Sequence, residues 1–400
     1  MQEIRLKNGL KVIYKHKPGN SVVVELMVKV GSNLESESER GISHFLEHIL
    51  FEGTVSRPSN LALCNEIESI GGDFNAYTTT ERTCYHIKVL KKHFLIAVEV
   101  LSDIMQNSLF KPEHIAKEKN IVLKEIDMVH DEPSYYQWIL LQKNLFTNHP
   151  CKHPTYGDIK VIANLNQKKI RDYFSKYYLP GNMVLSIVGD VPDWKKEIEP
   201  KFNLPAGKKN KLKIFREPSK VITKVTREKK DIVNTYVVIG FKTIPRNNKD
   251  TYTLEVINGV LGRGQSGRMF TEIRSKRGLA YEVGTQNMGE VSFGFFAVHV
   301  TTDKKNVNLI RKLVLEEINK LKYLSEQDLK EAKDYIEGDY LLGLENSQKL
   351  ADQILYWEHV KDANLMNNFI RNIKKVKIKT IRKVVDKYFK NHVMVVLEGK

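Results

Sequence analysis

The sequence predicts an α+β fold of two similar domains, each a largely antiparallel sheet packed with helices. Three observations lead to this prediction: the chain has 400 residues, strand-like and helix-like stretches are mixed along it, and its halves resemble each other. A chain of this length is too long for one compact core and favours about two to three domains. With 41% hydrophobic and 28% charged residues, its composition is that of an ordinary folding chain.

The two halves share a segment with the pattern of a helix followed by a strand. Ile170–Tyr178 (IRDYFSKYY) is echoed by Ile381–Phe389 (IRKVVDKYF), and a short apolar stretch follows each copy. A second, earlier echo has nearly the same offset, which indicates an internal duplication of about half the chain rather than a solenoid repeat of roughly 20–50 residues. We therefore expect domains at 1–202 and 221–400, joined by a Lys-, Pro- and Gly-rich linker at 203–220.

Local patterns in the first half support the mixed fold. Residues 10–17 and 21–30 are strand-like and are joined by a turn at Pro18–Asn20, and Thr83–Val89 is a further β-rich run. Helical periodicity follows, and Pro112 suits the first turn of a helix. Strands with tight turns and blocks of helix together indicate helices packed on a mainly antiparallel sheet.

The segment GISHFLEHILFEGT contains the pattern H-x-x-E-H at His44, Glu47 and His48. Residues four apart lie on the same face of a helix, so the two imidazoles could converge on one metal ion. Glu47 lies beside that face and could take a proton from water, as in the reversed form of the H-E-x-x-H zinc motif. The alternative is a pair of surface histidines, but their apolar neighbours favour a buried helix, whose polar groups need partners.

A catalytic zinc site usually has three protein ligands, so a third donor is needed from elsewhere. The helical stretch after Pro112 offers Glu118 and Glu125, two turns apart at the border of its apolar stripe. Taken alone, either glutamate could equally be an ordinary residue at the edge of a solvated face.

At these residues the sequence resembles the pitrilysin-type zinc peptidases, the family of insulin-degrading enzyme and mitochondrial processing peptidase. The resemblance extends over essentially the whole chain and agrees with the duplication. It implies one Zn²⁺ per chain, held by His44, His48 and Glu125, with Glu47 as general base. Glu118 matches the family's upstream glutamate, which would support the site from outside the ligand set.

The resemblance also assigns different tasks to the two halves. In the second half, Arg274 and Tyr281 match an arginine and a tyrosine that contact the scissile region of the substrate. The corresponding helical stretch, Thr251–Gly262, contains no histidine, so only the first half should hold metal. The family's edge strand, whose backbone pairs with the cleaved peptide, is matched by Asn75, Ala76, Tyr77 and Thr78.

The function expected from these features is that of a zinc-dependent endopeptidase acting on peptides or unfolded segments. The resemblance implies a dimeric chamber, formed by a homodimer or by a heterodimer with a related subunit; the alternative is a non-catalytic scaffold subunit. The net charge of +16 is spread along the chain without a nucleic-acid-binding motif, so we expect no nucleic-acid partner. We also expect no membrane segment and, from three cysteines without a CxxC pair, a cytoplasmic location.

Overall fold

The structure is a computed structural model that describes residues 1–207 and 215–399. Part of the expected linker, residues 208–214, lies outside the described residues. The strands are β1 (Gln2–Arg5), β2 (Lys11–His16), β3 (Ser21–Val28), β4 (Asp73–Thr78), β5 (Thr83–Leu90), β6 (Met183–Gly189), β7 (Lys224–Lys229), β8 (Thr235–Lys242), β9 (Ala280–Gly289), β10 (Gly294–Thr302) and β11 (Val393–Glu398).

Helices connect and cover these strands, and one π-helical turn occupies Phe270–Ser275. None of the helices in the described part of the chain combines the length and apolar character that crossing a bilayer requires. The α-helices are α1 (Ile42–Leu50), α2 (Asn60–Glu68), α3 (Phe94–Gln106), α4 (Pro112–Asp131), α5 (Pro133–Leu145), α6 (Ile159–Ala163), α7 (Gln167–Tyr177), α8 (Trp194–Lys201), α9 (Thr251–Gly262), α10 (Val307–Lys320), α11 (Glu326–Leu344), α12 (Ser347–Val360), α13 (Phe369–Lys374) and α14 (Ile378–Tyr388).

Each half of the chain contributes one sheet, and the two sheets have the same topology apart from the additional edge strand β1 of the first. The first has the order β1-β2-β6-β3-β5-β4 and the second the order β7-β11-β8-β10-β9. In each sheet one neighbouring pair is parallel, β2 with β6 and β7 with β11, and all other pairs are antiparallel. The expected α+β fold of two similar domains is confirmed.

One local expectation differs from the structure. The strand-like stretches on either side of the Pro18–Asn20 turn form β2 and β3, but these strands are not neighbours. Strand β6 lies between them and pairs with both. Every residue of β6 is buried, and a strand of that character belongs in the middle of a covered sheet.

The described residues form two compact units that exchange segments between the halves of the chain. Helix α5, from the first half, packs on β8 and β11, where its Leu140 and Leu141 join the second core. Helix α12, from the second half, packs on β3 and β6. The contiguous ranges 1–202 and 221–400 did not anticipate this exchange, because it depends on contacts between residues distant in sequence. The first unit comprises described residues of Met1–Asp127, His153–Lys213 and Gly343–Met366, and the second those of Met128–Lys152, Ile214–Leu342 and Asn367–Lys400.

Candidate metal centre

Helix α1 is held against the first sheet by its apolar residues and begins at an unusual turn. Phe45, Leu46 and Ile49 are buried in the first core, so the remaining face carries the polar residues of the motif. Gly41, just before the helix, has φ +93°, a conformation that side chains rarely adopt, and a Cβ there would lie 2.4 Å from the Tyr156 carbonyl oxygen. The polar face of α1 is therefore placed by a tight, glycine-dependent turn.

A buried carboxylate completes the start of α1. The Glu35 side chain accepts hydrogen bonds from the backbone N–H groups of Gly41, at 2.8 Å, and Ser43, at 2.9 Å. These belong to the first N–H groups of the helix, which have no partner within the helix itself. Burial raises the pKa of Glu35 to about 7, against the opposing effect of the two backbone donors.

Helix α4 presents Glu118 and Glu125 to α1. Ile115, Val122 and Ile126 form its buried stripe, as the sequence pattern predicted. Glu118 lies within the stripe and is buried, whereas Glu125 lies at its border with 41% of its side chain exposed. Because Glu118 and Glu125 are two turns apart, they lie on the same face of α4.

Three candidate metal ligands converge at this point. The Nε2 atom of His44 lies 3.6 Å from Glu125 Oε1, and the Nε2 atom of His48 lies 3.4 Å from Glu125 Oε2. One donor atom from each of the three residues lies within 4.8 Å of the other two. In the sequence, 76 residues separate His48 from Glu125, and the fold brings Glu125 to the two imidazoles.

Glu118 contacts the opposite side of His48. Its Oε2 atom lies 3.2 Å from His48 Nδ1, which leaves Nε2 directed toward Glu125. A carboxylate bonded to the outer nitrogen of a ligating histidine fixes the orientation and tautomer of the ring. Lys117 lies 3.6 Å from Glu118 and adds a positive charge beside it.

The two histidines have opposite electrostatic environments. Burial and the neighbouring His48 lower the pKa of His44 to about 4, so its imidazole is neutral and can donate a lone pair. Burial also opposes ionisation of His48, but Glu118 and Glu125 outweigh it and raise the His48 pKa to about 10. A divalent cation between these groups would replace that proton as the partner of the Glu125 carboxylate.

The donor set fits zinc. Two imidazole nitrogens and one carboxylate form a recognised ligand set of catalytic zinc sites, with one position left for water or substrate. The His44 Nδ1 atom is buried and has no hydrogen-bond partner among the described residues, so on that side the ring is held by packing. His44, His48 and Glu125 are therefore the residues that would hold the ion.

Glu47 faces the edge strand of the first sheet. It accepts a hydrogen bond of 2.5 Å from the Thr78 hydroxyl, at the end of β4. Burial raises the pKa of Glu47 despite that donor, which favours a carboxyl group able to exchange a proton.

Strand β4 is an edge of its sheet, paired only with β5 among the described strands. Of the four residues expected to bind substrate, Thr78 contacts Glu47, and the Tyr77 hydroxyl is bonded to Asp352 on the opposite face. Asn75 is exposed, and its side-chain oxygen accepts the N–H of Ala76 at 2.8 Å. The side chains of these residues therefore make different contacts, and what the residues have in common is their place on the backbone of the edge strand.

Comparison with known proteins identifies the family. Residues 11–159 match the family described as Insulinase (Peptidase family M16), and residues 164–336 match the Peptidase M16 inactive domain. A protein of Rickettsia felis named an uncharacterized zinc protease is 33% identical over 353 residues, covering 88% of this chain and 85% of that protein. The chain belongs to peptidase family M16.

Another relative and two solved structures are also similar to this chain. An uncharacterized zinc protease of Bacillus subtilis is 31% identical, covering 85% of this chain and 84% of its own. The crystal structure of a protease from Helicobacter pylori superposes with a TM-score of 0.94 over 99% of both chains at 23% identity. A Pseudomonas fluorescens structure titled peptidase M16 inactive domain has a TM-score of 0.89 at 20% identity, covering 100% of this chain and 98% of that one. The two structures show the shared fold.

In the second unit of this M16 protein, the predicted substrate-contacting residues lie next to each other. Arg274 lies in the π-helical turn, over the ring of Phe270, and donates a 2.6 Å hydrogen bond to the Tyr281 carbonyl oxygen. Tyr281 is the second residue of the edge strand β9, and 64% of its surface is exposed. Its hydroxyl is therefore available to a molecule in solution.

Two features of the metal centre escaped the sequence analysis. Glu35 lies six residues before Gly41, the residue that precedes α1, which is outside the spacing of an ordinary capping box, so no local pattern marked it. The contact between Thr78 and Glu47 was also missed, although alternation along β4 places Thr78 on the opposite face from Tyr77.

Proposed function

We propose that this M16 protein is a zinc-dependent endopeptidase that hydrolyses peptides or unfolded protein segments. The observation that carries the proposal is the convergence of His44 Nε2, His48 Nε2 and the Glu125 carboxylate. These three residues would hold one zinc ion per chain, which would supply Lewis-acid chemistry for the peptide carbonyl and would lower the pKa of bound water.

The surrounding residues have separate tasks in this proposal. Glu47 takes the proton of the attacking water and delivers it to the leaving amine, as general base and then general acid. Thr78 holds the Glu47 carboxyl through its hydroxyl, and Glu118 orients the His48 ring. These roles require no residue outside the first unit.

An extended peptide is the substrate form that suits the edge strand β4. The outer backbone groups of β4 have no strand partner among the described residues, so a peptide could add there by backbone pairing. Because Thr78 on this strand touches Glu47, a bound peptide would pass beside the general base. A folded protein could present such a strand only by local unfolding.

We further propose a dimer, in which Arg274 and Tyr281 of the partner chain grip the substrate backbone and stabilise the oxyanion. This step rests on the family resemblance, and a homodimer is its simplest form because one chain carries both residue sets. Mixed dimers test it: Glu47→Gln and Tyr281→Phe chains, each inactive alone, should regain activity after exchange. No recovery despite demonstrated exchange would place both residue sets in one chain.

The competing function is that of a non-catalytic scaffold subunit. The complete set of His44, Glu47, His48, Glu118 and Glu125 favours the peptidase, since a scaffold would not need a proton-transfer group beside a metal site.

Three free cysteines are consistent with the cytoplasmic location we propose.

The test of the proposed function is digestion of a peptide mixture, read by mass spectrometry. Cleavage should stop with a chelator, return with zinc and be absent in Glu47→Gln. Cleavage that continues in the chelator, or no cleavage by zinc-loaded protein with any extended peptide, would contradict the proposal.

A further inference from the structure

A second group of potential metal ligands lies in the first unit, on the face of the sheet away from α1. It consists of Glu25 on β3, Cys84 on β5 and Asp352 on α12. One donor atom from each lies within 4.8 Å of the other two, the same limit that the three residues of the metal centre satisfy. Helix α12 covers this face of the sheet through contacts with β3 and β6.

One carboxylate oxygen of the buried Glu25 lacks a hydrogen-bond partner among the described residues. The residue is completely buried, and its Oε2 atom accepts a 2.9 Å hydrogen bond from the Gln348 side chain. Its Oε1 atom is also buried and has no hydrogen-bond partner among the described residues. Burial, together with the nearby Asp352 carboxylate, raises the pKa of Glu25 well above its usual value. A buried carboxylate is costly without compensation, so a proton or a cation must provide it.

The charges around the cluster would be unbalanced if all three side chains were ionised. Asp352 accepts a hydrogen bond from the Tyr77 hydroxyl, and the Arg82 guanidinium lies 3.9 Å from its carboxylate. Two carboxylates and a thiolate would carry three negative charges beside this one arginine. A divalent cation would bring the group to neutrality, which neither arginine nor a single proton achieves.

We propose that Glu25, Cys84 and Asp352 bind a second divalent cation, of the borderline-soft kind represented by Zn²⁺. A thiolate selects such ions over Mg²⁺ and Ca²⁺, and carboxylates complete a mixed sulfur and oxygen set that zinc accepts. Asp352 has 29% of its side chain exposed, which provides an entry path to the two buried ligands.

The role of this ion is structural. It joins α12 to β3 and β5 through side chains, at a place where the sheet presents polar groups instead of an apolar surface. Cys84 is paired in register with Tyr77 of the edge strand β4, and Tyr77 is bonded to Asp352. The ion therefore supports the strand whose other face carries Thr78.

Cadmium titration of chelator-treated protein tests the inference, because a cadmium–thiolate bond gives an ultraviolet charge-transfer band. The metal centre of His44, His48 and Glu125 contains no sulfur, so the band reports on cysteine alone. We expect the wild-type chain to bind two cadmium ions, with the band saturating at one equivalent. The His44→Ala variant should keep the band while binding one ion fewer.

Matched variants locate the thiolate. Cys84→Ser should abolish the band, whereas Cys64→Ser and Cys151→Ser should retain it. If Cys84→Ser does not fold, the partly exposed Asp352→Asn decides instead. Loss of even an outer partner of a metal ligand costs about 10–100-fold in affinity, so loss of Asp352 should weaken cadmium binding at least tenfold.

Three results would overturn the proposal: no thiolate band in the wild type, a band that disappears with Cys64→Ser instead of Cys84→Ser, or unchanged affinity in Asp352→Asn. If the wild type shows no thiolate band, the buried Glu25 carries a proton in place of a cation. None of these results depends on peptide cleavage, so they leave the proposed function untouched.

Discussion

Helices α1 and α9 occupy equivalent places in the two halves, each following the strand at the centre of its sheet, yet only α1 carries metal ligands. Helix α1 presents His44, Glu47 and His48, whereas α9 contains no histidine. Apart from the additional edge strand β1 of the first sheet, the sheets around them have the same strand order and the same single parallel pair. The shared fold therefore does not require the metal chemistry, which depends on a few side chains of one helix and a glutamate of another.

The two helices also begin differently. The start of α1 is held by the buried Glu35 carboxylate, which accepts two backbone N–H groups. At the start of α9, Asp250 instead accepts hydrogen bonds from the side chains of Lys387, at 3.0 Å, and Tyr388, at 2.8 Å. The helix that carries the ligands is thus fixed through its backbone, which limits how far His44 and His48 can shift.

The largest effect is expected from Glu47→Gln, which removes the proton-transfer group from α1 but leaves its ligands. General acid–base groups contribute about 10²–10⁴-fold, so turnover should fall by that factor while zinc content stays the same. Peptide cleavage rates and metal analysis of the same sample measure both quantities. The exposed Glu113→Gln on α4 is the control, and a Glu47→Gln enzyme with normal turnover would refute the assignment.

Glu118→Gln sharpens the comparison by removing the charge that orients His48. Because outer partners of ligating histidines contribute about 10–100-fold to metal affinity, we expect zinc binding to weaken by that factor. Competition with a zinc-binding dye measures it. Asp127→Asn, an exposed acid on the same helix, should leave the affinity unchanged; equal affinities for all three proteins would remove Glu118 from the site.

Glu35→Gln tests whether the start of α1 is fixed as described. The amide nitrogen of glutamine cannot accept a hydrogen bond, so one buried N–H group loses its partner, at a cost of about 2 kcal/mol in the free energy of unfolding. The change should also alter the pH dependence. Because the folded-state pKa of Glu35 is raised to about 7, the wild type loses stability as pH rises from about 4.5 to about 7.

The Glu35→Gln variant cannot lose stability in this way, because it has no carboxyl group to ionise. The difference in the free energy of unfolding between wild type and variant should therefore be smaller at pH 7.5 than at pH 5. Urea unfolding at both values checks the sign. The exposed Glu37→Gln serves as control and should keep the wild-type dependence; the same pH slope in Glu35→Gln would show that Glu35 ionises freely.

The smallest effect is expected from Thr78→Val, which removes the hydroxyl that holds Glu47. We expect turnover to fall about tenfold, corresponding to one lost hydrogen bond of about 1.4 kcal/mol, without loss of zinc. Thr80→Val, two residues on, is the matched control. Identical rates for the two variants would mean that the contact does not position the base.

The metal helix could be predicted from sequence because its pattern is local: the spacing of His44, Glu47 and His48 fixes a shared helix face. The apolar stripe of α4 offered both Glu118 and Glu125, and only the family resemblance singled out Glu125 as the third ligand. What the sequence patterns did not indicate depends on residues distant in the chain. The insertion of β6 between β2 and β3 and the exchange of α5 and α12 are set by burial of surfaces that lie far apart in the sequence. The Glu35 contact uses backbone donors, which leave no residue pattern to read.

The most direct test of the metal centre is a crystal structure of the zinc-loaded protein, with diffraction recorded on both sides of the zinc absorption edge. We predict an anomalous peak for one zinc ion within bonding distance of the Nε2 atoms of His44 and His48 and of the Glu125 carboxylate. Density for these three side chains without a peak between them, in crystals that contain zinc elsewhere, would contradict it.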